Sequence, residues 1–225
     1  MNETSRDMDT AKADGTTAPV ACWLCRGPVA AGALFCPTCR AVQPPAPVDH
    51  FARFGLPVAF DLDENELDRR YFAVQRQLHP DRFATRTARE RAVSQSQAVA
   101  VNEAYETLKD PLARAEYLLQ LHGVATEACQ TISDPELLME QMERREALSE
   151  IDTREAAEAF LDAAGRDVAA SLATIAVAFG RGDLTAARRE TTRLKYLTKL
   201  VEEARARRAR LGGRPEAPIL KTMPR

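Results

Sequence analysis

Four cysteines and one tripeptide are the residues best placed to do chemistry. Cys22, Cys25, Cys36 and Cys39 follow the pattern C-x2-C-x10-C-x2-C. Each C-x-x-C pair can offer two thiolates from one tight turn, and the loop between the pairs can bring all four together. In a reducing compartment that spacing reads as a tetrahedral zinc site more than as disulfides. A redox dithiol pair or two disulfides is the blander alternative. Four thiolates leave no open coordination position, so the zinc would be structural and not catalytic. Gly27 and Gly32 are expected to supply the turn conformations. The fifth cysteine, Cys129, stands alone and reads as a small core residue or an incidental thiol.

The tripeptide is His79-Pro80-Asp81. Alone, such a triplet is common in turns. Its setting gives it weight, because it falls between two helical segments and so caps an exposed hairpin tip. Pro80 disfavours a helical conformation at His79 and stops the first helix there. That helix carries Arg69, Arg70 and Arg76 away from its apolar stripe, with Arg82 just beyond. Such a basic face suits an acidic protein partner; the plainer reading is a solvated face and a satisfied turn. The three histidines, His50, His79 and His122, are scattered, and there is no glycine-rich phosphate loop. No enzyme site is expected.

The elements that must position these residues are helices. Asp49 opens a short one that ends at Gly55, with Phe51 and Phe54 three apart. Asp63-Glu64-Asn65-Glu66 is a capping box, followed by Leu67, Tyr71, Val74 and Leu78 at helical spacing. A long helix over about 88–108 places Val101, Ala104, Tyr105 and Leu108 on one side, and Asp110-Pro111 breaks it. A short helix follows, ending near Gly123. Ser133-Asp134-Pro135-Glu136 opens another. A second capping box at Asp152–Glu155 starts a helix with Phe160, Ala164, Val168, Leu172, Ile175 and Phe179. Asp183 starts the last, with Leu184, Ala187, Thr191, Leu194, Leu197 and Val201. The expected fold is all-α, with strand character confined to the zinc module.

The expected domains are a leader (1–20), the tetracysteine zinc module (21–42), a Pro-rich linker (43–48), a helical-hairpin domain (49–111), a connector and three-helix bundle (112–211), and a frayed tail (212–225). The 225 residues allow one large domain or two small ones, and 45% hydrophobic composition supports a packed core. The net charge of −2, from 31 basic and 33 acidic residues, argues against nucleic acid as the main partner. No unbroken run of about 18 apolar residues is present, so no membrane span is expected. The leader has no apolar core and carries Glu3, Asp7, Asp9 and Asp14, unlike a secretory signal or a mitochondrial transit peptide. Cytoplasm is the expected location.

The helix from about 135 to 151 has two faces. Leu137, Leu148 and Ile151 suit a core. Leu138, Met139 and Met142, followed by Glu143, Glu146 and Glu150, lie elsewhere and read either as a partner site or as a half-buried Met pair beside solvated glutamates.

The segment YFAVQRQLHPDRF resembles a J-domain, the module that stimulates ATP hydrolysis by DnaK-type chaperones. FARFGLP, LHPDRF, VNEAYETLKDPLARAEYLLQLHG and LLMEQMERREALSEI together resemble the HscB family of J-type co-chaperones of iron–sulfur cluster assembly, in order from about residue 51 to 205. Some members carry an N-terminal tetracysteine module and others lack it. The resemblance implies a J-domain packed with a C-terminal three-helix bundle. It implies that His79, Pro80, Asp81, Arg69, Arg70 and Arg76 touch a DnaK/HscA-type chaperone, whose ATPase does the chemistry. It further implies that Leu138, Met139, Met142, Glu143, Glu146, Glu150 and Tyr196 bind an IscU-type scaffold. The alternative is a general J-domain co-chaperone serving unfolded clients.

Overall fold

The computed structural model describes residues 19–125 and 134–212. Almost all of the leader, Cys129 and the tail beyond Gly212 lie outside the described residues. The chain is mostly helical, as expected. Two short strands, β1 (Val20–Ala21) and β2 (Pro28–Val29), pair antiparallel with Val20 opposite Val29. Among the described residues seven helices follow: α1 (His50–Phe54), α2 (Glu64–Leu78), α3 (Ala88–Lys109), α4 (Pro111–Leu121), α5 (Pro135–Ser149), α6 (Arg154–Gly180) and α7 (Leu184–Gly212). A single 3-10 turn, Pro80–Phe83, lies between α2 and α3.

Local capping sets most of the boundaries. Asp49 accepts from the Ala52 N–H at 2.7 Å, Asp110 from Ala113 at 2.7 Å and Asp183 from Ala186 at 3.0 Å. Each satisfies a first-turn N–H that has no partner within its helix. Gly55 closes α1 in the left-handed region, at φ 64°. The cap of α6 is Thr153, not Asp152 as the sequence suggests: its hydroxyl accepts from Ala156 at 3.2 Å. A one-residue shift of this kind is expected where two good caps stand side by side.

The described residues form two compact units. One holds the residues up to Gly55 with Arg69–Ala104; the other holds Leu56–Asp68 with Tyr105 onward.

In the first unit Phe51, Phe54, Leu78, Phe83 and Val101 are buried. The tetracysteine segment belongs to it. Residues 43–48, expected as a spacer, are tied down at both ends. Gln43 is buried, and the Arg53 guanidinium donates to the Ala46 carbonyl at 3.1 Å.

The second unit is built on α6 and α7, antiparallel because only three residues join them. Ala157, Ala164, Ser171 and Ala178 repeat every seven residues on α6. They meet Ala187, Thr191, Leu194, Leu197, Leu200 and Ala204 of α7 in a buried seam. Small residues on one side and leucines on the other let the helices interdigitate. By length and mean hydropathy α6 is apolar enough to cross a membrane, although it holds no unbroken apolar run. Length and composition alone are weak evidence of a span, and its seam of small residues is used against α7.

Charge pairs tie α5 to this seam. Glu140 accepts from Arg193 at 2.7 Å and from Arg144 at 2.8 Å, and Arg144 also reaches Asp167 at 2.6 Å. Hydrogen bonds from Arg193 hold the Glu140 carboxyl below the usual carboxylate range against the opposing pull of burial, with Arg144 adding to the effect. Asp134 is lowered in the same direction by Arg189. A lowered folded-state value contributes stability that is present above the unfolded value, near 4, and is lost as pH falls through the folded value. Acidification below about pH 4 should therefore loosen the hold on α5. Glu140→Gln is expected to cost about 1–2 kcal/mol at neutral pH and to flatten the acid limb. Thermal melts of both proteins between pH 7 and 3 check this; parallel curves would remove Glu140 from the account.

Candidate functional site

The described residues carry three chemically distinct candidate sites. The first is the cysteine cluster. The Sγ atoms of Cys22 and Cys39 lie 3.7 Å apart, as do those of Cys25 and Cys36, and all four lie within 4.8 Å of one another. Tetrahedral zinc with bonds of about 2.3 Å requires edges of about 3.8 Å between sulfurs, so the donor set fits such an ion. The two halves are built alike. In one, Arg26 N–H returns to the Cys22 carbonyl at 3.0 Å; in the other, Arg40 N–H returns to Cys36 at 3.0 Å. Arg26 and Arg40 both take φ 63°.

The left-handed positions are thus one residue past each pair, not at Gly27 as expected. Gly27 serves close approach instead: a Cβ there would stand 3.0 Å from Thr38 Oγ1 and 3.3 Å from Cys25 Sγ. Gly32 is left-handed, at φ 81°.

Hydrogen bonds orient the sulfurs. Leu24 N–H and the Gln43 side-chain amide each donate to Cys22 Sγ at 3.4 Å, and Gly27 N–H donates to Cys25 Sγ at 3.4 Å. Burial raises the Cys22 thiol, but backbone N–H groups and Gln43 outweigh it and bring it to about 6. Cys39 receives a hydrogen bond from Ala41 that lowers it, yet burial and its three neighbouring sulfurs push it up to about 12. Sulfurs this close cannot all ionise without a cation among them. The four clustered cysteines can bind a metal.

The second site is the tripeptide turn. His79 caps the 3-10 turn, its Nδ1 accepting from the Asp81 N–H at 3.3 Å, and the same nitrogen lies 3.5 Å from Asp81 Oδ2. Both side chains are exposed, at 59% and 89%. Pro80 starts the turn where its missing N–H costs nothing. Phe83, buried, pins the turn from beneath.

On α2, Arg69 and Arg76 are exposed. Arg70 is half-buried and committed to the fold: its Nη1 donates to the carbonyls of Phe54 and Gly55 at 2.6 and 2.5 Å, closing the end of α1. Phe72, which the sequence reading did not single out, is exposed on the same helix. The ring lies one helical turn from both Arg69 and Arg76.

The third site is on α5. Leu137 and Leu148 face the core, while Met139 and Met142 are each 64% exposed and Leu138 is 41% exposed. Glu143, Glu146 and Glu150 are exposed. At 100° per residue, Met139, Met142, Glu143, Glu146 and Glu150 centre opposite the buried stripe, with Leu138 at its flank. Tyr196 is not among them. It lines a groove between α5 and α7, with Leu137, Gln141 and Leu200.

The solvent-facing His-Pro-Asp turn lies between two helices, and the comparisons with known proteins make the chain a J-domain co-chaperone. Residues 51–117 match the model of the DnaJ domain, and residues 133–205 match that of the HSCB C-terminal oligomerisation domain. The HscB homologue co-chaperone of Vibrio cholerae serotype O1 (strain M66-2) is 41% identical over 161 residues, 69% of this chain and 94% of that protein. The chain belongs to the HscB co-chaperone family, which is not enzymatic. The crystal structure of human HscB superposes with a TM-score of 0.79 at 33% identity, over 84% of this chain and 99% of that one. HscB from Vibrio cholerae gives 0.65 at 38%, over 73% and 99%. Jac1 from Saccharomyces cerevisiae, at 24% identity and a TM-score of 0.55, shares the fold.

Proposed function

We propose that this protein delivers an IscU-type iron–sulfur scaffold to a DnaK/HscA-type chaperone and triggers that chaperone's ATPase. The observation that carries this reading is the pairing, in one HscB-family chain, of an exposed His79-Pro80-Asp81 turn with an exposed Met139/Met142 face. Each serves one partner.

At the turn, the Asp81 carboxylate offers a charge-assisted bond to an arginine of the chaperone. His79 is a polar contact, and Pro80 holds both in place. Arg69 and Arg76 attract an acidic surface over distance, and salt weakens that attraction. Arg70 contributes by fixing α1 to α2. On α5, flexible Met139 and Met142 with Leu138 form an apolar centre that adapts to the scaffold, and Glu143, Glu146 and Glu150 set its charge. Tyr196 contributes from the adjoining groove. The cluster itself is cargo. Zinc is the metal proposed for the four cysteines, where it crosslinks the two turns and has no open position for chemistry. Cytoplasm is the proposed location.

A general J-protein for unfolded clients is the second reading, favoured by the exposure of Val20 and Leu24 on the tetracysteine module. Steady-state ATPase of a DnaK-type chaperone separates the two. Strong stimulation that needs both this protein and the folded scaffold is expected. Replacing Met139 and Met142 together by Ala should raise the scaffold concentration required by about tenfold or more, at unchanged thermal stability. Equal stimulation by any unfolded peptide would favour the general role, and no stimulation would end both.

A further inference from the structure

The face of α3 that should be purely apolar carries two buried polar side chains. Gln97 and Ser94 extend the Val101, Ala104 and Leu108 stripe by two turns, yet they are only 1% and 3% exposed. Burying a polar group without need is costly, so each requires a partner.

Ser94 Oγ donates to the Leu78 carbonyl at 3.2 Å. Leu78 is the last residue of α2, directly before His79. Gln97 Nε2 donates to the Gln43 carbonyl at 2.9 Å, across 54 residues of sequence. The side-chain amide of Gln43 donates in turn to Cys22 Sγ at 3.4 Å and to the Ala41 carbonyl at 2.8 Å. Gln97 Oε1 is buried without a partner, so the residue is held for what its amide nitrogen does. A second fastening lies beside it: the Arg89 guanidinium stands 4.4 Å from the centre of the Trp23 ring, whose Nε1 donates to the Val42 carbonyl at 2.7 Å. The cysteine cluster, residues 88–104 of α3 and the turn all fall within one compact unit.

We infer that the metal site is a buttress of the chaperone-facing turn: Cys22, Gln43 and Gln97 tie metal occupancy to the face of α3 that holds Leu78 and thus His79-Pro80-Asp81. With the metal bound, the sulfurs hold Gln43, Gln43 anchors Gln97, and α3 is fixed where Ser94 grips the end of α2. Without it, residues 20–48 lose the crosslink that makes so small a segment fold, and α3 loses a buried partner on that face. The inference rests on the reading of the cysteines as a metal site and is independent of the scaffold.

Amide hydrogen exchange on the full chain tests it, with no chaperone present. The zinc-loaded protein is compared before and after a chelator removes the metal, measured by metal content. Exchange across 78–83 and 90–101 should accelerate about tenfold or more, while α6 and α7 remain unchanged. Gln97→Leu should release zinc to a chelator about tenfold faster, as loss of supporting bonds around a metal does. Unchanged exchange in 78–101 after complete metal removal would overturn the inference and leave the metal reading intact. A protein that takes up no zinc would overturn both. Should Gln97→Leu fold poorly, the chelation experiment on the unaltered chain decides alone.

Discussion

His79→Gln is expected to remove most of the ATPase stimulation and leave scaffold binding untouched. The side chain is 59% exposed and sits in no core, so the change removes no packing. Its one internal duty is to accept the Asp81 N–H through Nδ1, and a glutamine oxygen can take that role in part. Pro80 and buried Phe83 hold the turn in either case. What is lost is the imidazole as a contact and the fixed aim of Asp81 beside it. A polar contact to a charged partner is worth about 1.5–3 kcal/mol, so stimulation should fall by about tenfold to a hundredfold. Asp81→Asn should act similarly by removing the charge alone. The check is single-turnover ATP hydrolysis by the chaperone, with scaffold affinity measured in parallel. A variant that stimulates normally would remove the triplet from the interface. One that loses scaffold binding as well would mean the substitution had disturbed more than the turn.

The parts of this molecule that were legible in its sequence are the local ones. Asp49, Asp63 and Asp183 mark helix starts because a cap acts within three residues of itself. The C-x2-C pairs announce a metal site because the ligands sit in fixed turns. The stripe of α7 was readable because Leu194 and Leu197 point the same way whatever they meet.

What escaped notice depends on partners distant in sequence. Arg70 reads as one more cation on a basic face, and only the end of α1 reveals that it caps carbonyls fifteen and sixteen residues back. Gln97 is polar, so a search for apolar periodicity ends at Val101, although position and not polarity was the sign. Arg26 and Arg40 adopt a conformation that favours glycine because the cluster's geometry demands it there. Tyr196 lies in the groove between α5 and α7 and not on the face of the Met pair, a fact that depends on how α7 meets α5. The exposure of the Met pair itself was undecidable from spacing; it follows from which stripe of α5 the core takes.

Cys36→Ser should strip the metal and unfold the module. Serine keeps the size of the side chain, but its hydroxyl does not ionise at neutral pH and makes a poor zinc ligand. Structural zinc in small modules is held by about 10–16 kcal/mol, so one of four thiolates carries about 2.5–4 kcal/mol, or about a hundredfold to a thousandfold in affinity. Cys36 is the more telling choice than Cys25, because it is fully buried and its N–H also pairs with the Ala41 carbonyl at 2.9 Å. Trp23, the single tryptophan of the chain, reports on the change directly, since its indole bonds to Val42 within the module. Against a competing chelator that leaves the unaltered protein loaded, metal content should fall from about one per chain toward zero, and the Trp23 emission should shift to that of a solvated indole. The C-terminal helices should melt as before. Thiol titration of the unaltered protein separates the metal from the two-disulfide alternative. A metal site yields reactive thiols at these four positions on chelation, with no reductant added, whereas disulfides yield none. A Cys36→Ser protein that keeps one zinc and an unchanged Trp23 signal would mean that three thiolates and some other ligand suffice. The share of the affinity assigned to Cys36 would then have to be withdrawn, because a replacement ligand would hold the ion as well as the buried thiolate does.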